Sequence, residues 1–463
     1  MVIKLYNSLS RKVEVFKPLH NNKAGMYTCG PTVYWSTHIG HMSKYVGDDL
    51  LRRVLVYNGY VVTHVMNITD VGHLTSDADE GEDKLEKGAA REGLSVWDVA
   101  RKYEKEFFET LYALNVLKPT IVARATEHIV DQVELIKKLE SKGFIYQTSQ
   151  AVYFDVSKFP NYGNLAGQNL EDKKTGVRED VVVDLEKKNP YDFAVWFKAV
   201  GRFSNHIMRW ESPWGEGFPG WHIECSAMSM RYLGETVDIH TGGIDHLGVH
   251  HPAEIAQSEA ATDRIFVNYW VHRAFITVDG HKMSKSLGNF YTLEDIITRG
   301  YDPISLRYLF MTAHYRTPMN FTWEALDGAR SAFRKLLEFV SGPGEEPKIG
   351  CAEYEQRFLD AINEDLDMPK ALSVVWELVK SDYPVSAKKA SLFKFDEVLG
   401  LGLREESLKE KEIPEEIKKM AEAREEARRQ GDFAASDIIR DKINSAGYSI
   451  EDTKEGPVIK KKL

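Results

Sequence analysis

The sequence predicts an α/β protein: a parallel-sheet domain split by an insertion, followed by a helical region and a small C-terminal module. Three observations carry that prediction. The first 70 residues read as a β-α-β unit, a second such unit starts near Gly220, and beyond about residue 322 the apolar spacing turns helical. A chain of 463 residues is too long for one core, so two to four domains are expected. With 43% hydrophobic and 28% charged residues, disordered and collagen-like readings are excluded. Three cysteines cannot build a disulfide framework. No apolar run approaches the roughly 18 residues of a membrane helix, and the N-terminus carries scattered charges without an apolar signal region. A cytoplasmic protein without a membrane partner is therefore expected.

In chain order, Met26 to Gly30 is a short strand candidate running into Pro31. An amphipathic helix follows from about Gly40, with Tyr45, Val46, Leu50, Leu51, Val54 and Leu55 near helical spacing, and Asn58-Gly59 stops it. Val61 to Ile68 reads as a buried strand. Parallel strands joined by a crossover helix place a ligand site at their carboxyl ends. From about 90 to 150 the pattern is helical, and from 151 to 215 it changes to strand and loop rich in Gly, Pro and Asn. Trp221 to Leu233 reads as a helix ended by Gly234, Thr236 to His240 as a strand, and a glycine-rich turn then leads to a helix opening at Pro252. Helices are expected at Trp323 to Val340, at Pro414 to Arg429 and at Asp432 to Ala446, the last followed by a hairpin.

Three groups of residues carry chemistry. Thr37-His38-Ile39-Gly40-His41 lies at the start of the first helix, where free amides and the helix dipole attract phosphate. Gly40 lets a flat base or ribose approach the backbone, and His38 and His41 can donate to an α-phosphate. Lys282-Met283-Ser284-Lys285-Ser286 is a cationic loop able to close over β- and γ-phosphates, though alone it also reads as a solvated basic turn. Third, seven of the fifteen histidines (His222, His240, His246, His250, His251, His272 and His281) fall in one stretch that also holds Cys225. Cys29 sits at the end of the first strand. Two thiolates, an imidazole and a carboxylate meeting there would form a four-donor site that zinc accepts. Each cysteine taken singly is equally a small core residue.

In this order and on this scaffold, the first two groups resemble the HIGH and KMSKS signatures of class I aminoacyl-tRNA synthetases. Met26 to Tyr34, Asn67-Ile68-Thr69-Asp70, Gly220 to Met228, Asp238-Ile239-His240, Asn268 to His272 and Gly431 to Asp437 extend the resemblance to the cysteinyl-tRNA synthetase family. That resemblance implies a Rossmann-like catalytic domain in two halves (1–119 and 216–255) around a connective insertion (120–215). It further implies a stem-contact region with the Lys282–Ser286 loop (256–325), a helical bundle (326–401) and an anticodon-binding module (402–463). The implied activity is formation of cysteinyl-AMP and pyrophosphate from L-cysteine and ATP with Mg, then transfer of cysteine to tRNA(Cys). His38, His41, Lys282 and Lys285 would be catalytic, with Gly40 joining His38, His41 and Lys285 around ATP. Thr69, Trp221, His240 and Asp245 would surround the amino acid. Cys29, Cys225, His250 and Glu254 would bind one zinc, whose preference for thiolate over hydroxyl separates cysteine from serine. The chain is expected to act as a monomer.

Two stretches depart from the family pattern. His246 to Glu254 makes His246 an extra candidate ligand, and Pro252 bears on how Glu254 approaches the metal. Val71 to Lys84 replaces a shorter run; six carboxylates between Asp77 and Glu86 give it the character of a solvated surface insertion. The net charge of -10 argues against nucleic acid on its own, yet a local basic face suffices to bind RNA. The rival nearest in chemistry is a cysteine ligase of thiol-cofactor biosynthesis with an amino-sugar acceptor, which would lack the region after Gly402. A zinc hydrolase and a non-catalytic tRNA-binding module with a structural zinc are further alternatives. The first would need a motif such as His-Glu-x-x-His, and the second leaves His38, His41 and Lys285 without a role.

Overall fold

The computed structural model describes residues 2–76, 80–167, 184–284, 287–342, 349–411, 414–453 and 456–461. Its centre is a five-stranded, wholly parallel sheet of β1 (Lys23–Thr28), β2 (Val61–Ile68), β3 (Ile121–Arg124), β4 (Val237–Gly243) and β5 (Val267–Arg273). The order is β5-β4-β1-β2-β3, so the chain reverses direction across the sheet between β1 and β4. Crevices at such a reversal lie beyond the carboxyl ends of the strands and take ligands. In register, Met26 faces Ile239 on one side and His64 on the other.

Helix α1 (Ile39–Tyr57) packs Met42, Val46, Leu50, Leu51, Val54 and Leu55 against the sheet. His38 caps it by accepting from the Gly40 amide, and Gly59, at φ +87°, lets the chain turn into β2. The helical pattern expected across 90–150 is broken twice. After Val96–Ala113 the chain forms β3, and after Ile129–Ser141 it enters Ile145–Gln147, the edge of a four-stranded antiparallel sheet. That second sheet, with Ala151–Phe154, Phe193–Lys198 and Gly217–Pro219, interrupts the parallel one.

Helix α2 (Trp221–Leu233) follows the insertion, and α3 (His250–Thr262) joins β4 to β5. Pro252 sits in the first turn of α3, where its missing amide costs nothing. Helices Trp323–Ser341, Ala352–Asn363, Met368–Lys380 and Val385–Leu399 form the C-terminal bundle, with Phe358 and Phe395 stacked 4.1 Å apart in its core. A smaller unit of Glu415–Arg429, Phe433–Ser445 and the hairpin Tyr448–Thr453/Gly456–Lys461 closes around Ile417, Ala421, Ile443 and Ile450. Among the described residues, no helix is long and apolar enough to cross a membrane.

The bundle is fastened to α1 by a buried charge cluster. Arg307, fully buried, donates to Asp49 (2.6 Å), to the Leu399 carbonyl (2.7 Å) and to the Leu114 carbonyl (3.0 Å). Arg53 reaches the same Asp49 oxygen at 2.7 Å. Burial alone would push the Asp49 carboxyl up, but the two guanidinium groups bring it below its ordinary value. Removing one partner of such a pair leaves an uncompensated buried charge. Arg307→Met is therefore expected to destabilise the protein by about 3–5 kcal/mol, read as a lower denaturant midpoint by tryptophan fluorescence. A midpoint within error of the parent would contradict the structural weight given to this joint.

Candidate functional site

The site lies where β1 and β4 part. Cys29 directly follows β1, and its amide donates to the Thr241 carbonyl at 3.3 Å. Gly30 must be glycine, because a β-carbon there would fall 1.7 Å from the Asn67 carbonyl oxygen. The same Asn67 accepts from the Gly30 amide at 2.7 Å, closing the mouth between β1 and β2. Helix α2 delivers Cys225. Helix α3 delivers His250 and Glu254, whose four-residue spacing puts both on one face.

The donor atoms of Cys29, Cys225, His250 and Glu254 lie within 4.8 Å of one another, and all four residues are buried. His250 Nε2 is 2.9 Å from Glu254 Oε1, and Cys29 Sγ is 3.9 Å from that oxygen. Two sulfurs, an imidazole nitrogen and a carboxylate oxygen are a donor set suited to zinc. A second set, Cys29, His240, His251 and Glu254, satisfies the same distance limit. His246, the extra candidate, belongs to neither set; its Nε2 faces Asp245 at 3.8 Å.

The surrounding histidines orient the donors. His222 Nδ1 is 2.8 Å from His250 Nδ1, which leaves His250 Nε2 for the cluster. His240 Nε2 is 2.8 Å from Glu254 Oε2, and His251 Nδ1 is 2.7 Å from His272 Nε2. Burial holds His222, His251 and His272 well below the ordinary imidazole value, so they are neutral. His250 differs. Burial disfavours its cation, but Glu254 and Cys225 outweigh that and raise it to about 10. Cys225 is lowered to about 7 by its hydrogen bond with Cys29 against the effect of burial, whereas burial and Cys225 push the Cys29 thiol up.

The residues expected to meet phosphate adjoin the cluster through α1. The His38 and His41 rings stack 3.7 Å apart at its start, with His41 exposed. One turn further, Lys44 donates to the Cys29 carbonyl at 2.5 Å and pairs with Asp48 at 3.0 Å. Lys282 lies exposed on the short strand His281–Lys282. Its neighbour Met283 closes on the helix start, since a β-carbon on Gly40 would come 2.6 Å from Met283 Cε. Asn289 clamps this loop, donating to the Lys282 carbonyl at 3.2 Å and accepting from the Ser284 amide at 2.7 Å. Lys285 lies outside the described residues.

Of the four residues expected around the amino acid, three pack against the donor cluster or the helix α2 that carries Cys225. Trp221 stacks on His250 at 4.2 Å, His240 touches Glu254, and Thr69 donates to Glu224 at 3.0 Å. Asp245 stands on the turn after β4, its side chain 61% exposed and thus open to a ligand from solvent. The described ends of the acidic stretch are not solvated as expected. Strand Leu74–Ser76 pairs with Glu80–Asp83, and both His73 and Asp83 are buried. His73 Nε2 approaches Glu224 to 2.9 Å, and Asp83 meets His206 of the insertion at 3.2 Å. Outside this loop a cavity of about 460 Å³ opens among Leu74, Glu86, Lys87, Arg202, Phe203 and Asn205. Sequence reading gave no role to Lys44 or His73, and met Asn67 only within the Asn67-Ile68-Thr69-Asp70 match. Lys44 left a signal in its spacing, one helical turn from His41.

These features agree with known proteins. The family described as tRNA synthetases class I (C) catalytic domain matches residues 15–331. A cysteine–tRNA ligase 1 of Burkholderia lata is 48% identical, covering 98% of this chain and 96% of that protein. A cysteine–tRNA ligase of Treponema denticola is 44% identical over the whole of both chains. Among solved structures, Mycobacterium tuberculosis methionyl-tRNA synthetase in complex with methionyl-adenylate matches with a TM-score of 0.56 at 15% identity. It covers 83% of this chain and 91% of that one, a likeness of fold alone. Identity of this depth along the full chain, not the shared fold, decides the branch: the protein belongs to the cysteine–tRNA ligase family of class I aminoacyl-tRNA synthetases.

Proposed function

We propose that this chain, a cysteine–tRNA ligase by family, selects its amino acid at a zinc ion held by Cys29, Cys225, His250 and Glu254. The observation that carries the reading is the convergence of those four buried donors beside the nucleotide-binding turn. A bound zinc would supply a soft Lewis acid to sulfur, and oxygen of a neutral hydroxyl competes poorly for it. A pocket relying on shape alone separates such close analogues weakly.

The protein's own groups do the rest. Trp221, His240, Thr69 and Asp245 surround the amino acid, and the α1 N-terminus with His38, Gly40 and His41 takes the phosphates of ATP with Mg. Lys282 and Lys285 bring positive charge to the departing pyrophosphate. The small unit after Gly402 takes tRNA(Cys), an acceptor an amino-sugar ligase would not need. We place the enzyme in the cytoplasm as a monomer.

The deciding test is ATP–pyrophosphate exchange with cysteine against serine, with and without a chelator. Exchange is expected with cysteine alone and should be lost on chelation; exchange indifferent to chelation would refute the metal's role. Cys225→Ser should weaken zinc binding by more than the roughly 10–100-fold that losing a hydrogen-bonded outer partner costs. Elemental analysis reads this, and cysteine affinity should fall with it.

Proton linkage gives an independent check. The His250 value of about 10 lies above the roughly 6.5 of a free imidazole, so in the metal-free protein its stabilisation is present below the latter and lost as pH rises through the former. Zinc must displace that proton and the Cys29 thiol proton, so its affinity should climb with pH across that window. Titration calorimetry in two buffers of different ionisation enthalpy should give different apparent heats, and identical heats would contradict the linkage.

A further inference from the structure

The turn between β1 and α1, which feeds His38 and the first amides of α1, is tied down at both ends by backbone bonds. At one end the Pro31 carbonyl accepts from the Thr69 amide at 3.0 Å, and the Val33 amide donates to the Thr69 carbonyl at 3.2 Å. At the other the Ile39 amide donates to the Tyr291 carbonyl at 2.9 Å, and His38 forms a bridge with Thr292. Residues 34–37 between those ties belong to no strand or helix. A cation holds them from the side.

Helix Lys84–Glu92 lies against this turn. Gly88 lets it come close, since a β-carbon there would sit 3.3 Å from the Tyr34 carbonyl oxygen. Three residues later Arg91 reaches the turn twice. Its Nη2 donates to the Tyr34 carbonyl at 3.0 Å, and its guanidinium carbon lies 3.6 Å from the centre of the Trp35 ring. An indole face is the aromatic surface that attracts cations best, and a planar guanidinium can stack on it while donating in its own plane.

Arg91 is placed by its own neighbours. Its Nε donates to Glu92 Oε1 at 3.3 Å and its Nη2 to the Tyr103 hydroxyl at 3.0 Å. That hydroxyl donates to the same Glu92 oxygen at 2.5 Å, and Lys102 pairs with the other one. Gly93, at φ +66°, ends the helix just beyond, so Arg91 stands in a last turn where the helix dipole favours a cation. Tyr103 comes from helix Val96–Ala113, whose Phe107 packs edge-on against Tyr45 of α1 at 4.9 Å. The brace and the helix it serves thus share one packed layer.

We propose that Arg91 is a positioning residue for ATP: by clamping the Tyr34 carbonyl and the Trp35 ring it fixes the turn that carries His38 and the start of α1. The inference rests on that turn being the nucleotide's place, as read above. The partners of Arg91 are the turn and its own helix layer, not the donors of the proposed metal site, so its effect falls on ATP and not on cysteine.

The test is ATP–pyrophosphate exchange by the full chain carrying Arg91→Ala, Trp35→Leu, both together, or His38→Ala. On each, kcat/KM for ATP, bound zinc, calorimetric affinity for cysteine and melting temperature are measured. Losing a stacked cation and a charged donor should lower kcat/KM for ATP in Arg91→Ala about tenfold. Zinc content and cysteine affinity should stay within about twofold, since the metal donors share no partner with Arg91. Trp35→Leu should lower kcat/KM similarly, and the double variant should lie within about twofold of the lower single, because the two residues act as one clamp. An unchanged kcat/KM in Arg91→Ala, with His38→Ala lowered, would overturn the Arg91 role and leave the turn as the nucleotide's place. An unchanged His38→Ala would overturn that reading of the turn and the proposal with it. Fully additive losses in the double variant would refute the clamp. A parallel fall in zinc content, cysteine affinity and melting temperature would reduce Arg91 to a packing residue.

Discussion

Glu254 is a carboxylate with no exposure, and much of the molecule is arranged so that it can be one. A lone buried carboxylate is so costly that it would take up a proton. Here burial pushes its value up, but His240 on one oxygen and His250 on the other more than reverse this, and Glu254 stays ionised. Each of those histidines needs its own neighbour: His222 turns His250, and Trp270 stacks on His240 at 4.5 Å. A ring of imidazoles around one anion and two sulfurs is an environment that a divalent cation completes. Without one, the protons on His250 and Cys29 stand in for it.

Helix α1 carries this centre to the rest of the chain. Its first turn presents His38, Gly40 and His41, and its second sends Lys44 to the Cys29 carbonyl. Further along, Asp49 and Arg53 tie into Arg307 and the end of the bundle helix Val385–Leu399. One rigid element thus touches the phosphate turn, the backbone of a sulfur donor and the root of the C-terminal region. The buried arginine is poor value as stability alone, since an apolar replacement of both partners is often neutral. Its directional bonds set the register between helix and bundle.

Much of this was legible in the sequence, and the failures share a cause. Strand β2 and helix α2 fall where their apolar runs and glycine stops put them, because local pattern and tertiary burial agree there. Strand β3 escaped notice because four residues between long helices carry no readable period. Strand β5 is more instructive. Asn268, His272 and Arg273 break its apolar run, yet the strand is buried because His272 and Arg273 find distant partners. His272 meets Ser8 and His251, and Arg273 donates to Ser43 and the Phe310 carbonyl. His73 was hidden in the same way, in a run whose carboxylates advertise solvent while its histidine turns toward Glu224. At the site, residue types announced the donors and the family resemblance picked His250 from seven clustered histidines; the i, i+4 pairing on α3 brings it together with Glu254, while a second set with His240 and His251 meets the same distance limit.

The short bond from Lys44 to Cys29 bears on catalysis as well as folding. A reaction that joins a carboxylate to an α-phosphate depends on the separation of two anchors, one for the amino acid and one for the nucleotide. Errors of about 1 Å in such a separation cost on the order of a hundredfold in rate. In the function proposed above, an amino acid anchored through its sulfur would be placed relative to Cys29, and a nucleotide anchored at the start of α1 relative to His38 and Gly40. Sheet packing alone would leave those references on different elements, free to shift as side chains repack. Lys44 joins them through one helical turn and one hydrogen bond, and Gly30 against Asn67 keeps the strand end from slipping. On the proposed reading, selecting sulfur and positioning the carboxylate would be one mechanical problem, solved by the same backbone.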